Sequence, residues 1–261
     1  MSSTPIFPTQ LHTSTAEMVR EYFVGIPKVD TILVVNSCAR GQATPESDLD
    51  FAILVKPETS ISEINNIESD WINYLIEQPT YLEYKRSSEF AHLHLDIING
   101  KYTSAKIEAG EPVDSFELEI GNQISYSAPM NNAGQYFLEL QNKWLPYYSE
   151  ELRLQRLAMI KDACIYDLNH CHIFVKRHLY FQAFDILYKA FQKFLQLLFI
   201  ACKTYPIAYN KWIKYQFEEK LNKPDLYPRL SPVLSIKNIE SNEINNKVEM
   251  LRELLNELPG N

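Results

Sequence analysis

Two aspartates one residue apart, Asp48 and Asp50, are the side chains of this chain best placed to do chemistry. They open an apolar run, Leu49-Asp50-Phe51-Ala52-Ile53-Leu54-Val55. Successive side chains of a strand point to opposite faces, so both acids share one face while Leu49 and Phe51 take the other. Two unpaired carboxylates beside a core repel each other and are costly to desolvate. A divalent cation is the simplest compensation. Oxygen-only donors at this spacing favour Mg2+, which takes one or two carboxylates together with substrate phosphates. A third acid, Asp96, lies on the later run Phe90–Ile98, where Ala91, Leu93, Leu95 and Ile97 form the apolar face. Asp96 is left on the opposite face with His92 and His94. If the two runs are neighbouring strands, three carboxylates converge, the ligand set of a two-metal site for in-line phosphoryl or nucleotidyl transfer.

The elements that must position these acids are legible in the periodicity. Thr31–Val35 reads as a buried strand that ends in a polar turn at Asn36-Ser37, and a loop leads from there to the strand Asp48–Val55. Thr15–Phe23 and Ile61–Gln78 read as helices, while Tyr81–Lys85 and Phe90–Ile98 read as strands. From Tyr147 to Tyr205 there is neither glycine nor proline, the composition of long helices. Within it Phe184, Leu187, Phe191, Phe194, Leu195, Leu198 and Cys202 recur at three- and four-residue steps, an apolar helix face packed in a bundle. A last helix is expected from about Ser241, with Ile244, Val248, Leu251 and Leu255 inward, to a Pro259-Gly260 stop. The expected architecture is α+β: a mixed-sheet domain over residues 1–130 followed by an α-helical domain over 131–261.

Composition narrows the function classes. The chain has 261 residues and only seven glycines, against about eighteen at average usage, and carries neither GxGxxG nor GxxxxGK[ST]. A glycine-dependent dinucleotide or P-loop fold is thereby disfavoured. The net charge is −8, with −11 on residues 1–130 and +3 on residues 131–261. A net-acidic chain without a basic cluster is a poor nucleic-acid binder, since counterion release needs a cationic surface. An acidic half that holds metal, beside a more cationic half that meets phosphate, fits the asymmetry. Met-Ser-Ser-Thr-Pro at the start has no signal-peptide pattern, and no apolar stretch is long enough to span a membrane. The four cysteines lack metal-site spacing and read as reduced thiols, which points to the cytoplasm. His170-Cys171-His172 resembles a metal tract, but helical neighbours diverge by about 100° each, so it reads as packing and surface. His92 and His94 read as structural or surface side chains.

The segment Ile32–Val55, ILVVNSCARGQATPESDLDFAILV, resembles the signature of the nucleotidyltransferase superfamily related to DNA polymerase β. That signature is a hydrophobic strand, Gly-Ser, about ten residues, Asp-x-Asp in a strand, and a third Asp on a later strand. Ser37 matches the serine, Asp48 and Asp50 the metal-binding pair, and Asp96 the third carboxylate; Asn36 stands where the family has glycine. Ala39-Arg40-Gly41 and Tyr205–Trp212 are similar to elements of the bacterial small-molecule branch, the aminoglycoside and lincosamide enzymes with a helical C-terminal domain. The resemblance implies Mg2+ on Asp48, Asp50 and Asp96, phosphates held by Ser37, and Arg40 and Lys211 as nucleotide-binding cations. It also implies an active site between the two domains. The aromatics Tyr205, Tyr209, Trp212 and Tyr215 read either as the lining of an acceptor or adenine pocket or as packing at the domain junction. The implied activity is transfer of AMP from ATP to a hydroxyl of a small molecule such as an antibiotic, by a protein that can be a homodimer. Two alternatives stand beside it: an enzyme that modifies protein with AMP, and a non-catalytic nucleotide-binding module motivated by Asn36.

Overall fold

The computed structural model describes Thr4–Leu258; the Met1-Ser2-Ser3 start and the Pro259-Gly260 stop lie outside the described residues. In chain order the elements are α1 (Gln10–Phe23), β1 (Val29–Val34), α2 (Asn36–Ala39), β2 (Leu49–Val55), α3 (Ile61–Leu75) and α4 (Pro79–Ser87). They continue with β3 (Leu93–Ile98), α5 (Phe116–Ile120), β4 (Ala128–Pro129), α6 (Gln135–Trp144), α7 (Glu150–Lys176) and α8 (Tyr180–Ala201). Last come the short α9 (Ile213–Tyr215) and α10 (Ser231–Leu234), then α11 (Glu243–Asn256). This is an α+β chain, a mixed four-stranded sheet followed by a largely helical region. It forms two compact units: the chain up to Tyr102 with Glu119–Leu145, and Thr103–Leu118 with everything from Pro146 on. Among the described residues no helix is long and apolar enough to cross a membrane.

The first unit is built on a sheet of order β3-β2-β1-β4. β1 runs antiparallel to β2 and β4, while β2 and β3 are parallel and joined through α3 and α4, as a parallel pair requires a crossover. Leu49, Phe51 and Ile53 of β2 pack into one core with Val19 and Phe23 of α1, Trp71 of α3 and Tyr84 of α4. The expected strand Tyr81–Lys85 is instead the middle of α4. The two periods are indistinguishable over five residues, and the deciding feature is Pro79, which starts the helix and leaves Tyr81 and Tyr84 three residues apart on its inward side. α3 begins on a capping box: the Ser60 hydroxyl accepts from Glu63 N–H, and the Glu63 carboxylate accepts from Ser60 N–H at 2.8 Å.

One acid of this unit is accounted for by folding alone. The Asp30 carboxylate accepts the Tyr136 and Phe137 N–H groups, both at 3.0 Å, and so caps α6 from across the chain. The approach is close enough that a Cβ on Gly134 would lie 2.4 Å from Asp30, which makes glycine obligatory there.

The second unit packs α7, α8 and α11 around one core, with Leu187, Phe194, Leu195, Leu198, Ile244, Val248, Leu251 and Leu255 inside, as the periodicity requires. Phe184 and Cys202 sit at its margin. The buried stripe of α7 carries Arg156, Ile160, Cys164, Asp167, Cys171 and Val175, so two of its inward positions are charged. Each has a partner on residues 103–118. Arg156 donates to Asp114 at 2.7 and 3.0 Å and to Glu117 at 2.6 and 2.7 Å. Asp167 accepts from Gly110 N–H at 2.6 Å and from Lys193 of α8 at 2.8 Å. Buried charge thus straps an otherwise irregular segment onto the helix pair.

Candidate active site

β1 ends at Val34, and the chain turns sharply into α2 at Asn36, whose φ is +57°. That is left-handed backbone, which asparagine tolerates better than most residues and which glycine adopts freely. The turn survives the exchange of the family glycine. Ser37 follows on α2, half-buried, with its carbonyl accepting Gln42 N–H at 2.9 Å. The Arg40 Nε donates to the Gln42 side chain at 3.1 Å.

The loop then delivers Asp48 to the start of β2. Its carboxylate accepts His92 N–H at 3.2 Å and lies 3.9 Å from His94 Nε2. Asp50 is the one residue of β2 that is not buried, and it stands half-buried on the same face. Burial raises its pKa above the usual carboxylate range; the Asn36 amide and the charges of His94 and Arg40 oppose the rise, and the like charge of Asp48 adds to it. The β2–β3 register pairs Asp50 with His94 and Ala52 with Asp96. All three expected carboxylates therefore share one face of two adjacent strands.

They are not gathered equally. Asp50 lies opposite His94, which is 3.9 Å from the Asp48 carboxylate, but Asp96 stands one pleat farther along, exposed, opposite Ala52. Among the described residues no three His, Cys, Asp or Glu side chains are grouped closely enough to hold a metal ion. In the parallel register it is His94, rather than Asp96, that lies directly beside Asp50. A pair of carboxylates, one of them disfavoured by burial, still suits a single cation that shares its coordination with phosphates. Lys211 belongs to the second unit, where it is exposed and its carbonyl accepts the Gln216 amide at 3.0 Å. Of the four aromatics considered there, Tyr205 and Tyr209 are buried core residues and Trp212 is exposed, with φ +59°.

His94, read from the sequence as structural or surface, lies beside Asp48. Two further contributors carried no readable signal: His12 of α1 and Tyr84 of α4, both buried, which converge on the carbonyl of Ser47 directly before Asp48. His12 Nε2 lies 3.0 Å from it and the Tyr84 hydroxyl 3.1 Å. A carbonyl only accepts, so His12 donates from Nε2, and its Nδ1 meets Thr9 Oγ1 at 2.7 Å. The clamp holds the end of the loop in place against the core. Replacing Tyr84 by Phe is expected to cost about 1 kcal/mol, measured by urea denaturation, since Ser47 keeps its other donor.

With this geometry in view, residues 16–119 match the family model described as a nucleotidyltransferase domain. The match spans β1, β2 and β3 and includes Ser37, Asp48, Asp50 and Asp96. The match covers less than half of the chain; it supports a nucleotidyltransferase domain in the N-terminal part and, with it, nucleotidyl transfer in general. Among solved structures, a nucleotidyltransferase-like protein from Exiguobacterium sibiricum 255-15 is similar at 11% identity and a TM-score of 0.41, covering 94% of this chain and 74% of that one. No curated protein matches the chain.

Proposed function

We propose that this protein transfers a nucleoside monophosphate, AMP from ATP, to a hydroxyl of a small molecule, an antibiotic being one such acceptor. The observation that carries the reading is the Asp48/Asp50 pair on one strand face, beside a Ser37 turn held open by left-handed backbone. Asp48 and Asp50 would hold Mg2+, which when bound neutralises charge on the triphosphate. Ser37 and the backbone N–H groups around it are assigned to the phosphates. Asp96, exposed on the same face, is assigned as the base that takes the proton of the acceptor hydroxyl as its oxygen attacks the α-phosphorus. The bond from the α-phosphorus to its bridging oxygen breaks, and pyrophosphate leaves. Arg40 and Lys211 are assigned to the charge that develops on it. We assign donor chemistry to residues 1–130 and acceptor recognition to residues 131–261. A cytoplasmic location fits ATP as donor and four unpaired cysteines.

Pyrophosphate release from ATP and Mg2+ over a panel of hydroxyl-bearing antibiotics and metabolites tests the reading. Release with at least one acceptor, lost in the Asp48→Asn/Asp50→Asn double variant, is the expected result. Nucleotide binding without release over the whole panel overturns it in favour of a non-catalytic nucleotide-binding module. Labelled nucleotide recovered on protein from a treated lysate would instead favour an enzyme that modifies protein with AMP.

A further inference from the structure

We propose that the open edge of β3 pairs with the same edge of a second copy of this chain, joining the two sheets antiparallel about Leu95. Among the described residues β3 is an edge strand with β2 as its one strand neighbour. Leu49 N–H donates to the His92 carbonyl at 2.9 Å, and the bonding side alternates along a strand. His92, His94 and Asp96 therefore address β2, while Leu93, Leu95 and Ile97 turn their backbone groups outward. Among the described residues those outward N–H and C=O groups meet no partner. Such a row is a template for another strand.

The edge is complementary to itself. Two such edges must pair outward residue with outward residue, so the admissible registers differ by two residues. Centred on Leu95, the pairing sets Leu93 opposite Ile97, and all three outward residues exchange their backbone hydrogen bonds. It also sets His94 of each copy opposite Asp96 of the other, on one face and in the closer, non-hydrogen-bonded positions. Both side chains are exposed. An imidazole carries an N–H donor whether charged or neutral, and a carboxylate accepts it. Sliding the register one way opposes Asp96 to Asp96, a repulsion. Sliding it the other way sets Ile97 opposite Ala91, before β3 begins. Helix α3 enlarges the contact. Ile64 lines a recess with Ile97 and Ile98, which brings that side of α3 to the open edge. Ile61, one turn earlier, is 76% exposed, and Ile72 and Ile76 continue the exposed apolar stripe. The twofold through Leu95 puts both α3 helices on the same side of the joined sheet. His94 lies 3.9 Å from Asp48, so pairing adds Asp96 of the second copy to the face that carries Asp48 and Asp50.

The test is sedimentation equilibrium of the full chain over about 1–100 µM, where a small interface of this kind is expected to give a dimer with a dissociation constant on the order of 10 µM. His94→Asp opposes two carboxylates and should weaken the dimer about tenfold, while His94→Asp/Asp96→His restores the pair in reverse and recovers the affinity. Both positions are exposed, so the variants should melt with the wild type. A second measurement reads the register directly. Chains carrying His94→Cys, mixed with chains carrying Asp96→Cys and oxidised, should form a disulfide-linked dimer that neither variant forms alone, because only the opposed positions come within disulfide reach. The wild type, with its partly exposed Cys202, is the control. A monomer over the whole range overturns the proposal. So does a dimer that His94→Asp leaves unchanged and that fails to cross-link in the mixture. Cross-linking within one variant alone overturns the pairing about Leu95.

Discussion

Replacing Asp50 by asparagine is expected to lower pyrophosphate release by about a hundred- to a thousandfold, the usual cost of deleting a group that stabilises transition-state charge. It is not expected to lower the melting temperature. Asp50 sits half-buried beside Asp48, and burial disfavours its charged form, so the neutral amide of the same shape removes a repulsion from the folded state. Loss of activity without loss of stability separates this residue from a packing residue. Asp30 should behave in the opposite way. Its carboxylate caps α6 through two backbone N–H groups and meets none of the site residues, so its removal acts on folding. Melting curves and initial rates on the same preparations check both statements.

The second large effect is expected far from these acids in the chain. Arg156→Met leaves Asp114 and Glu117 buried without their cation, and should destabilise the protein by about 3–5 kcal/mol in chemical denaturation. Arg156 is 1% exposed and Glu117 is fully buried. Burial alone would weaken the Arg156 charge, but its hydrogen bonds to the two acids outweigh that and raise its pKa. Gln196 donates to Asp114 at 2.7 Å and to Glu117 at 2.8 Å, and Tyr148 donates to Glu117 at 2.8 Å. These neutral donors cannot replace the missing positive charge. The triple variant Arg156→Met/Asp114→Asn/Glu117→Gln should recover part of the loss, since most of the penalty comes from uncompensated charge and not from lost volume. Equal stability of the single and triple variants would count against that account.

The residues 103–118 that supply Asp114 and Glu117 show where pattern reading reaches its limit. Nothing local in them announces a partner, since their acids and irregular composition look like a solvated loop. Their docking is set by Arg156 and Asp167, which occupy inward positions of α7. Those same charges blur the apolar stripe that makes α8 and α11 readable. In the same way Tyr81–Lys85 fits a strand or a helix over its short length, and only Pro79 with the inward Tyr84 distinguishes them.

Composition and spacing by themselves determined the α+β architecture, the long helices after Tyr147, and the placing of Asp48, Asp50 and Asp96 on one strand face. Each of these follows from a repeat of two or of three to four residues, which is a local property of the backbone. Tertiary structure alone decided that Asp50 lies opposite His94 while Asp96 lies opposite Ala52, and that His12 and Tyr84 grip Ser47. Strand register and side-chain convergence depend on how distant segments slide against one another. That is settled by packing over the whole core, and no window of sequence contains it.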